Sequence, residues 1–116
     1  MATRSIIAVK TNDNNYTTIY AHWDGAPDTR YPILVEGYNT QEKVEELISM
    51  GDASVINETI EECKFYGRDN KEDDTDATTG IKYLKDIECQ EFLYVWDTNE
   101  WKVYNTRSGY LRKLKM

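Results

Sequence analysis

The chain has 116 residues, 40% of them hydrophobic, which predicts one domain able to bury its own core without disulfide or metal staples. Its net charge is −7, from 21 acidic and 14 basic side chains; this argues against a protein that grips nucleic-acid phosphates, because that affinity comes from Lys and Arg. No window approaches the ~18 apolar residues of a membrane helix, and the opening MATRSIIAVK has too short an apolar run for a secretory signal.

Residues 4–10 (RSIIAVK) are β-branched and apolar and predict a strand. TNDNN (11–15) is turn chemistry, since Asn and Asp tolerate left-handed backbone. YTTIYAHW (16–23) alternates. Ile19, Ala21 and Trp23 face one way, which assigns Trp23 to the core; Tyr16, Thr18, Tyr20 and His22 face the other. The two strands predict an antiparallel hairpin, ended by DGAPD (24–28). RYPILVEGYN (30–39) is β-rich but holds Pro32 and Gly37, and predicts a short strand or extended lead into a helix. That helix is NTQEKVEELISMGD (39–52), with Asn39 as N-cap, Glu42 three residues on, Val44, Leu47 and Ile48 as the apolar stripe, and Gly51 as the stop.

In ASVINETIEEC (53–63), Ser54 is placed to cap a short helical turn carrying Val55 and Ile56. KFYGRD (64–69) reads as a strand ending at Gly67. NKEDDTDATTG (70–80) reads as a mobile polar loop. In TGIKYLKDIE (79–88), Ile81, Leu84 and Ile87 fall at helical spacing. EFLYVWD (91–97), TNE and WKVYN (101–105) predict a second hairpin, and YLRKLK (110–115) an edge strand or helical end.

The order predicts an α+β fold: an antiparallel β-sheet built from two hairpins plus a further strand, with two or three helices packed on one face. Residues 1–116 read as a single domain, with a polar acidic loop at about 69–79 and a basic tail at 107–116. Residues 1–106 hold 21 acids and ten bases, a net of −11, and the tail holds four bases and no acid. An acidic body suits basic protein surfaces, or imitates nucleic acid toward a protein that binds it.

His22 is the one histidine. A nucleophile–His–acid triad needs a placed Ser or Cys, and no G-x-S-x-G is present. A zinc site needs several His or Cys, and the chain offers His22, Cys63 and Cys89 in all. A single general base at His22, with Asp24 as its partner, is the minority reading: a small hydrolase. The two cysteines form no CxxC; two buried thiols in a reducing cytoplasm are the default, and a Cys63–Cys89 pair stays open. DNKEDDTDATTG lacks the calcium-loop pattern, with Lys71 at its third place. No phosphate-loop or dinucleotide pattern occurs, so no metal and no cofactor are expected. Nine Tyr and three Trp are an aromatic excess that suits interfaces. Tyr16, Tyr20, Tyr94 and Tyr104 are expected to line one exposed sheet face.

MATRS (1–5), YAHWDGAP (20–27), YNTQEKVEELISMGDAS (38–54), FYGRD (65–69) and EFLYVWD (91–97) occur in collinear order over about 100 residues. In these segments the chain resembles a family of small, mostly uncharacterised tailed-phage proteins. The resemblance implies a phage or prophage protein acting in the bacterial host cytoplasm. It marks His22, Trp23, Asp24, Gly25, Tyr66, Gly67, Arg68 and Asp69 as signature residues. The acidic insert after Asp69 and the basic tail depart from that pattern.

The resemblance implies a role in host-defence evasion, since small acidic phage proteins without enzyme motifs often block host defence. The expected function is therefore host-defence evasion: a non-enzymatic protein inhibitor of anti-CRISPR or anti-restriction type. It binds a host defence protein through an acidic, Tyr-rich surface, without direct nucleic-acid or membrane binding, and self-association stays open. Expected binding residues are His22, Asp24, Tyr20, Tyr66 and Arg68, with Glu72, Asp73, Asp74 and Asp76 as acidic surface. The alternative is a pocket of His22, Trp23, Tyr66 and Arg68 that sequesters a nucleotide-like defence signal.

Overall fold

In the computed structural model, residues 3–11, 13–88, 91–106 and 111–115 are described. Two strands organise them. β1 (Ser5–Lys10) and β6 (Phe92–Asp97) lie side by side and parallel, with Ile7 opposite Tyr94 and Val9 opposite Trp96. Both are buried on both faces, which matches their near-continuous apolar runs. β2 (Tyr16–Ala21) pairs antiparallel with β1, and β7 (Glu100–Asn105) antiparallel with β6. The turn between β6 and β7 holds Thr98 and Asn99 at φ 54° and 59°. Two left-handed residues give the twist that a two-residue turn needs between right-twisted strands.

The sheet is mixed and mostly antiparallel, with eight strands among the described residues. β3 (Ala53–Val55) lies parallel to the end of β2, and β4 (Lys64–Phe65) antiparallel to β3. β5 (Thr78–Ile81) pairs with the first half of β2, and β8 (Arg112–Leu114) with β7. The order is β4-β3-β2-β1-β6-β7-β8, with β5 beside β2. The expectation of a purely antiparallel sheet is corrected by the two parallel pairs. Register between distant segments has no local sequence signal.

Three further assignments change. Residues expected to be extended form α1 (Pro27–Gly37). Pro27 stands in its first turn, where a missing N–H costs nothing. Leu34 and Arg30, one turn apart, are buried, and the exposed Pro32 is tolerated. Burial thus overrides the β-propensity of Tyr31, Ile33 and Val35. The helical turn expected at Ser54 is strand β3. The helix expected at 79–88 is strand β5 followed by a single turn at Leu84–Asp86. The FYGRD strand lasts only through β4, and Tyr66–Asn70 wind into the short α3.

α2 (Gln41–Ser49) keeps its expected place and stripe, Val44, Leu47 and Ile48. Its cap is Thr40 rather than Asn39: the Thr40 hydroxyl oxygen accepts from the Lys43 N–H at 3.2 Å. α1 and α2 cover one sheet face, where Leu34, Tyr38, Val44, Leu47 and Ile48 join Ile7, Val9, Ile19, Tyr94, Trp96, Trp101 and Val103. The opposite face carries Ala8, Tyr16, Leu93 and Val95, covered by Ile87 with Ile81, Leu84 and Leu111. No helix among the described residues is long and apolar enough to cross a membrane.

The two cap candidates separate in a denaturation experiment. Thr40→Ala should lose about 1 kcal/mol of unfolding free energy in urea, while Asn39→Ala should stay within about 0.5 kcal/mol of the parent.

Candidate functional site

The HWDG segment is a corner where β2 leaves the sheet. β2 ends at Ala21, and the next two residues follow the edge of β3: the His22 N–H donates to the Ala53 carbonyl at 3.1 Å and the Trp23 N–H to the Ser54 carbonyl at 3.0 Å. Asp24 then turns the chain in left-handed backbone, φ 58°. The Gly25 N–H donates to the Thr3 carbonyl at 2.9 Å. A Cβ at Gly25 would stand 2.7 Å from that carbonyl oxygen, so only glycine fits the approach.

The corner is held from inside the core. The Trp23 carbonyl accepts from Nη2 of Arg30, and the Gly25 carbonyl from the hydroxyl of Tyr94. Arg30 is 1% exposed, and its Nε and Nη1 have no hydrogen-bond partner among the described residues. Burial pulls its pKa down, opposed by the nearby Tyr94 and Asp24. Trp23 is therefore not a core residue. It is 45% exposed, because the alternation that assigned it stops two residues earlier.

Around this corner the structure brings HWDG and FYGRD together through Asp52. Asp52 Oδ1 accepts the Tyr20 N–H at 2.9 Å, and its carbonyl accepts the Tyr66 N–H at 3.1 Å. The Tyr20 hydroxyl lies 2.6 Å from His22 Nδ1, and the His22 ring meets Trp23 edge-on at 4.7 Å. Burial raises the Tyr66 phenol's pKa, with Tyr20, Glu72 and Asp52 adding to the shift. Tyr20, His22 and Trp23 thus form one half-exposed aromatic group, to which Tyr66 is tied through Asp52. Asp24 shares the corner, and among the described hydrogen bonds the His22 ring meets the Tyr20 hydroxyl rather than Asp24.

Arg68 is not part of that group. Its Nε and Nη2 reach the two Asp69 carboxylate oxygens at 3.1 Å each, Nη1 donates to the Ile60 carbonyl at 3.0 Å, and Nη2 to the Cys63 carbonyl at 2.7 Å. Its guanidinium also lies 5.0 Å over the Phe65 ring. Asp69 in turn accepts the Phe65 N–H at 2.8 Å. The Arg68 bond is the main cause holding the Asp69 carboxyl below its usual range. The pair clamps residues 60–69 together and leaves Arg68 little to offer a phosphate.

The tyrosine face expected from alternation is mostly closed. Tyr94 is buried on the helix side, Tyr16 is buried on the other, and Tyr104 is half-buried. Glu72, Asp73, Asp74 and Asp76 are exposed, as expected. Their loop is tied down at two places: the Glu72 N–H donates to the Tyr66 carbonyl at 3.0 Å and the Asp52 N–H to the Thr75 carbonyl at 2.8 Å. Cys63 is a free buried thiol, and the question of a pair with Cys89 falls outside the described residues. Among the described residues no group of three or more His, Cys, Asp or Glu is placed to hold a metal ion.

Sequence reasoning missed a second acidic feature. A groove of about 390 Å³ runs between the end of α1, α2 and the turn at 58–61, and Glu36, Glu46, Glu58 and Glu61 line it with Lys43. Glu42, Glu45 and Glu62 are exposed on the same elements. The signal was present as spacing on α2, where Glu42, Glu45 and Glu46 occupy the side opposite the apolar stripe.

Gly25→Ala should lose about 1–3 kcal/mol in urea unfolding, the usual cost of forcing a methyl into a filled site. Trp23→Ala, at an exposed position, should stay within about 0.5 kcal/mol. Asp52 gives a pH signature. Burial is the main cause raising its carboxyl pKa above the usual value of about 3.9, against the Tyr20 N–H bond that lowers it. Above that value the unfolded chain releases a proton that the fold still holds, so ionising Asp52 costs stability as the pH rises through the raised pKa. Asp52→Asn keeps an oxygen acceptor for Tyr20 and removes the charge. Its urea midpoint should gain on the parent as the pH rises through that window.

Comparison with protein-family models, with curated proteins and with solved structures found no match.

Proposed function

We propose that this chain is a phage-encoded, non-enzymatic inhibitor of anti-CRISPR or anti-restriction type, which acts in the bacterial host cytoplasm and binds a host defence effector or nuclease through its acidic face. One observation carries the reading. Glu36, Glu42, Glu45, Glu46, Glu58, Glu61 and Glu62 are all exposed around one groove, and none forms an ion pair among the described residues. Unpaired carboxylates present a negative field that a paired surface would cancel. A protein built to grip phosphates offers the complementary Lys and Arg, and steering between such surfaces speeds encounter. The exposed Glu72, Asp73, Asp74 and Asp76 extend the same charge along the loop after α3. The tyrosine contribution is narrower than alternation suggests, because Tyr16, Tyr38 and Tyr94 are buried. In the competing pocket of His22, Trp23, Tyr66 and Arg68, the Arg68 guanidinium already engages Asp69 and the Cys63 carbonyl.

Expression of the chain in a bacterium that carries a CRISPR or restriction system should restore plaque formation by a phage that the system excludes. Glu46→Gln with Glu58→Gln and Glu61→Gln should reduce that rescue about tenfold or more while the fold, read by circular dichroism, stays intact. Plating unchanged by the parent chain in both systems would sink the proposal. Partner capture from the host lysate should also weaken as salt is raised from low to physiological strength and beyond.

A further inference from the structure

A second cleft adjoins the same helix, α1, and its chemistry is of the opposite sign. It has a volume of about 450 Å³ and sits between α1 and the β7–β8 edge. Tyr31 and Val35, one turn apart on α1, form one wall, and Val35 is 39% exposed despite being apolar. Trp101 and Leu114 form the floor. The floor is rigid, because the Trp101 indole N–H donates to the Tyr38 carbonyl at 2.8 Å and Trp96 packs edge-on against it at 5.5 Å. Asn39 and Asn99 supply amides at the rim.

Its charge is what separates it from the rest of an acidic protein. Lys102, Lys113 and Lys115 border it against a single acid, Glu100. Lys102 is within 4.0 Å of both Asp97 and Glu100. Lys113 and Lys115 have no ion pair among the described residues. β8 stops at Leu114 and covers only Val103–Asn105 of β7, so among the described residues the Glu100–Lys102 stretch of that strand is not paired on this side. The cleft therefore combines aromatic walls, amides and unneutralised ammonium groups, the set that holds a flat ring and a phosphate at once.

We infer that this cleft binds a nucleotide, with its base against Tyr31 and the Trp101 floor and its phosphate toward Lys113 and Lys115. The acidic groove plays no part in it, so the inhibitor reading and this site stand or fall separately. Neither His22 nor Arg68 contributes.

Calorimetric titration of the full chain tests it with AMP, GMP and ATP as probes, and with adenosine and inorganic pyrophosphate as half-ligands. AMP or GMP should bind at least about tenfold more tightly than either half, since charge-assisted contacts and ring burial each add to affinity. Lys113→Gln with Lys115→Gln, both at exposed positions, should weaken nucleotide binding about tenfold and leave adenosine unchanged. Tyr31→Ala should weaken nucleotide and adenosine alike. No heat with any nucleotide at millimolar concentration overturns the inference. So does pyrophosphate binding as tightly as AMP, which would make the cleft an anion site only. So does nucleotide binding that the lysine and tyrosine variants leave untouched.

Discussion

The parallel pairing of β1 with β6 is the constraint on which the rest of the molecule depends. It joins residues more than eighty positions apart, Ser5 with Phe92 through Val9 with Trp96. Parallel neighbours cannot be joined by a tight turn, so the chain between them makes a long excursion, which adds β2 to β5 on the outer side of β1 before it returns to β6. The excursion contains α1 and α2, which cover one face, and the turn at Leu84–Asp86 with Ile87, which covers the other. Each cover exists because a strand buried on both sides needs two apolar roofs. Loss of that pairing would separate the first strand pair from the last and leave both open.

The HWDG corner follows from the same demand for coverage. The chain must leave β2 abruptly to send α1 across the helix-side face. It does so by placing two backbone carbonyls, those of Trp23 and Gly25, where buried side chains reach them. Tyr94 satisfies one from β6, tying the corner to the central pair. Arg30 satisfies the other at the expense of burying a cation whose Nε and Nη1 lack a hydrogen-bond partner among the described residues. Unmet buried donors of this kind cost on the order of 1–3 kcal/mol each. The outcome is a rigid platform under exposed Trp23, with Tyr20, His22 and Tyr66 beside it. Rigidity of that sort lowers the entropy a surface loses when a partner settles on it.

Charge is segregated rather than averaged. The carboxylates gather around α2, the 58–62 turn and the loop after α3, while Arg112, Lys113 and Lys115 mark the β8 end of the sheet. Those bases have a second consequence. β8 is an edge strand, and lysines and arginines on an edge discourage pairing with another chain. A second edge, β4, has two residues before α3 begins. Short length blunts that edge and charge blunts β8, while β5, paired only with β2 among the described residues, is a third and four-residue edge.

Local pattern alone determined the strands whose alternation or apolar run is strong, β1, β2, β6 and β7, and the helix whose stripe and stop are unmistakable, α2. It determined that four acids after Asp69 face water. It also narrowed the chemistry, since the chain offers one histidine, two cysteines and no G-x-S-x-G. Tertiary structure decided what depends on distant partners. Residues 30–37 became helix because Leu34 and Arg30 had a sheet to cover, against their own β-propensity. Residues 78–81 became strand because half of the outer edge of β2 was open to pair. Trp23 came to the surface because a strand's end is set by the neighbour it runs beside, not by its own alternation. Arg68 is drawn into a clamp because Asp69 and two carbonyls stand within its reach only after the chain folds. The acidic groove and the basic cleft were hidden for the same reason: each gathers side chains from three or more segments, and no local pattern records which distant segments will meet.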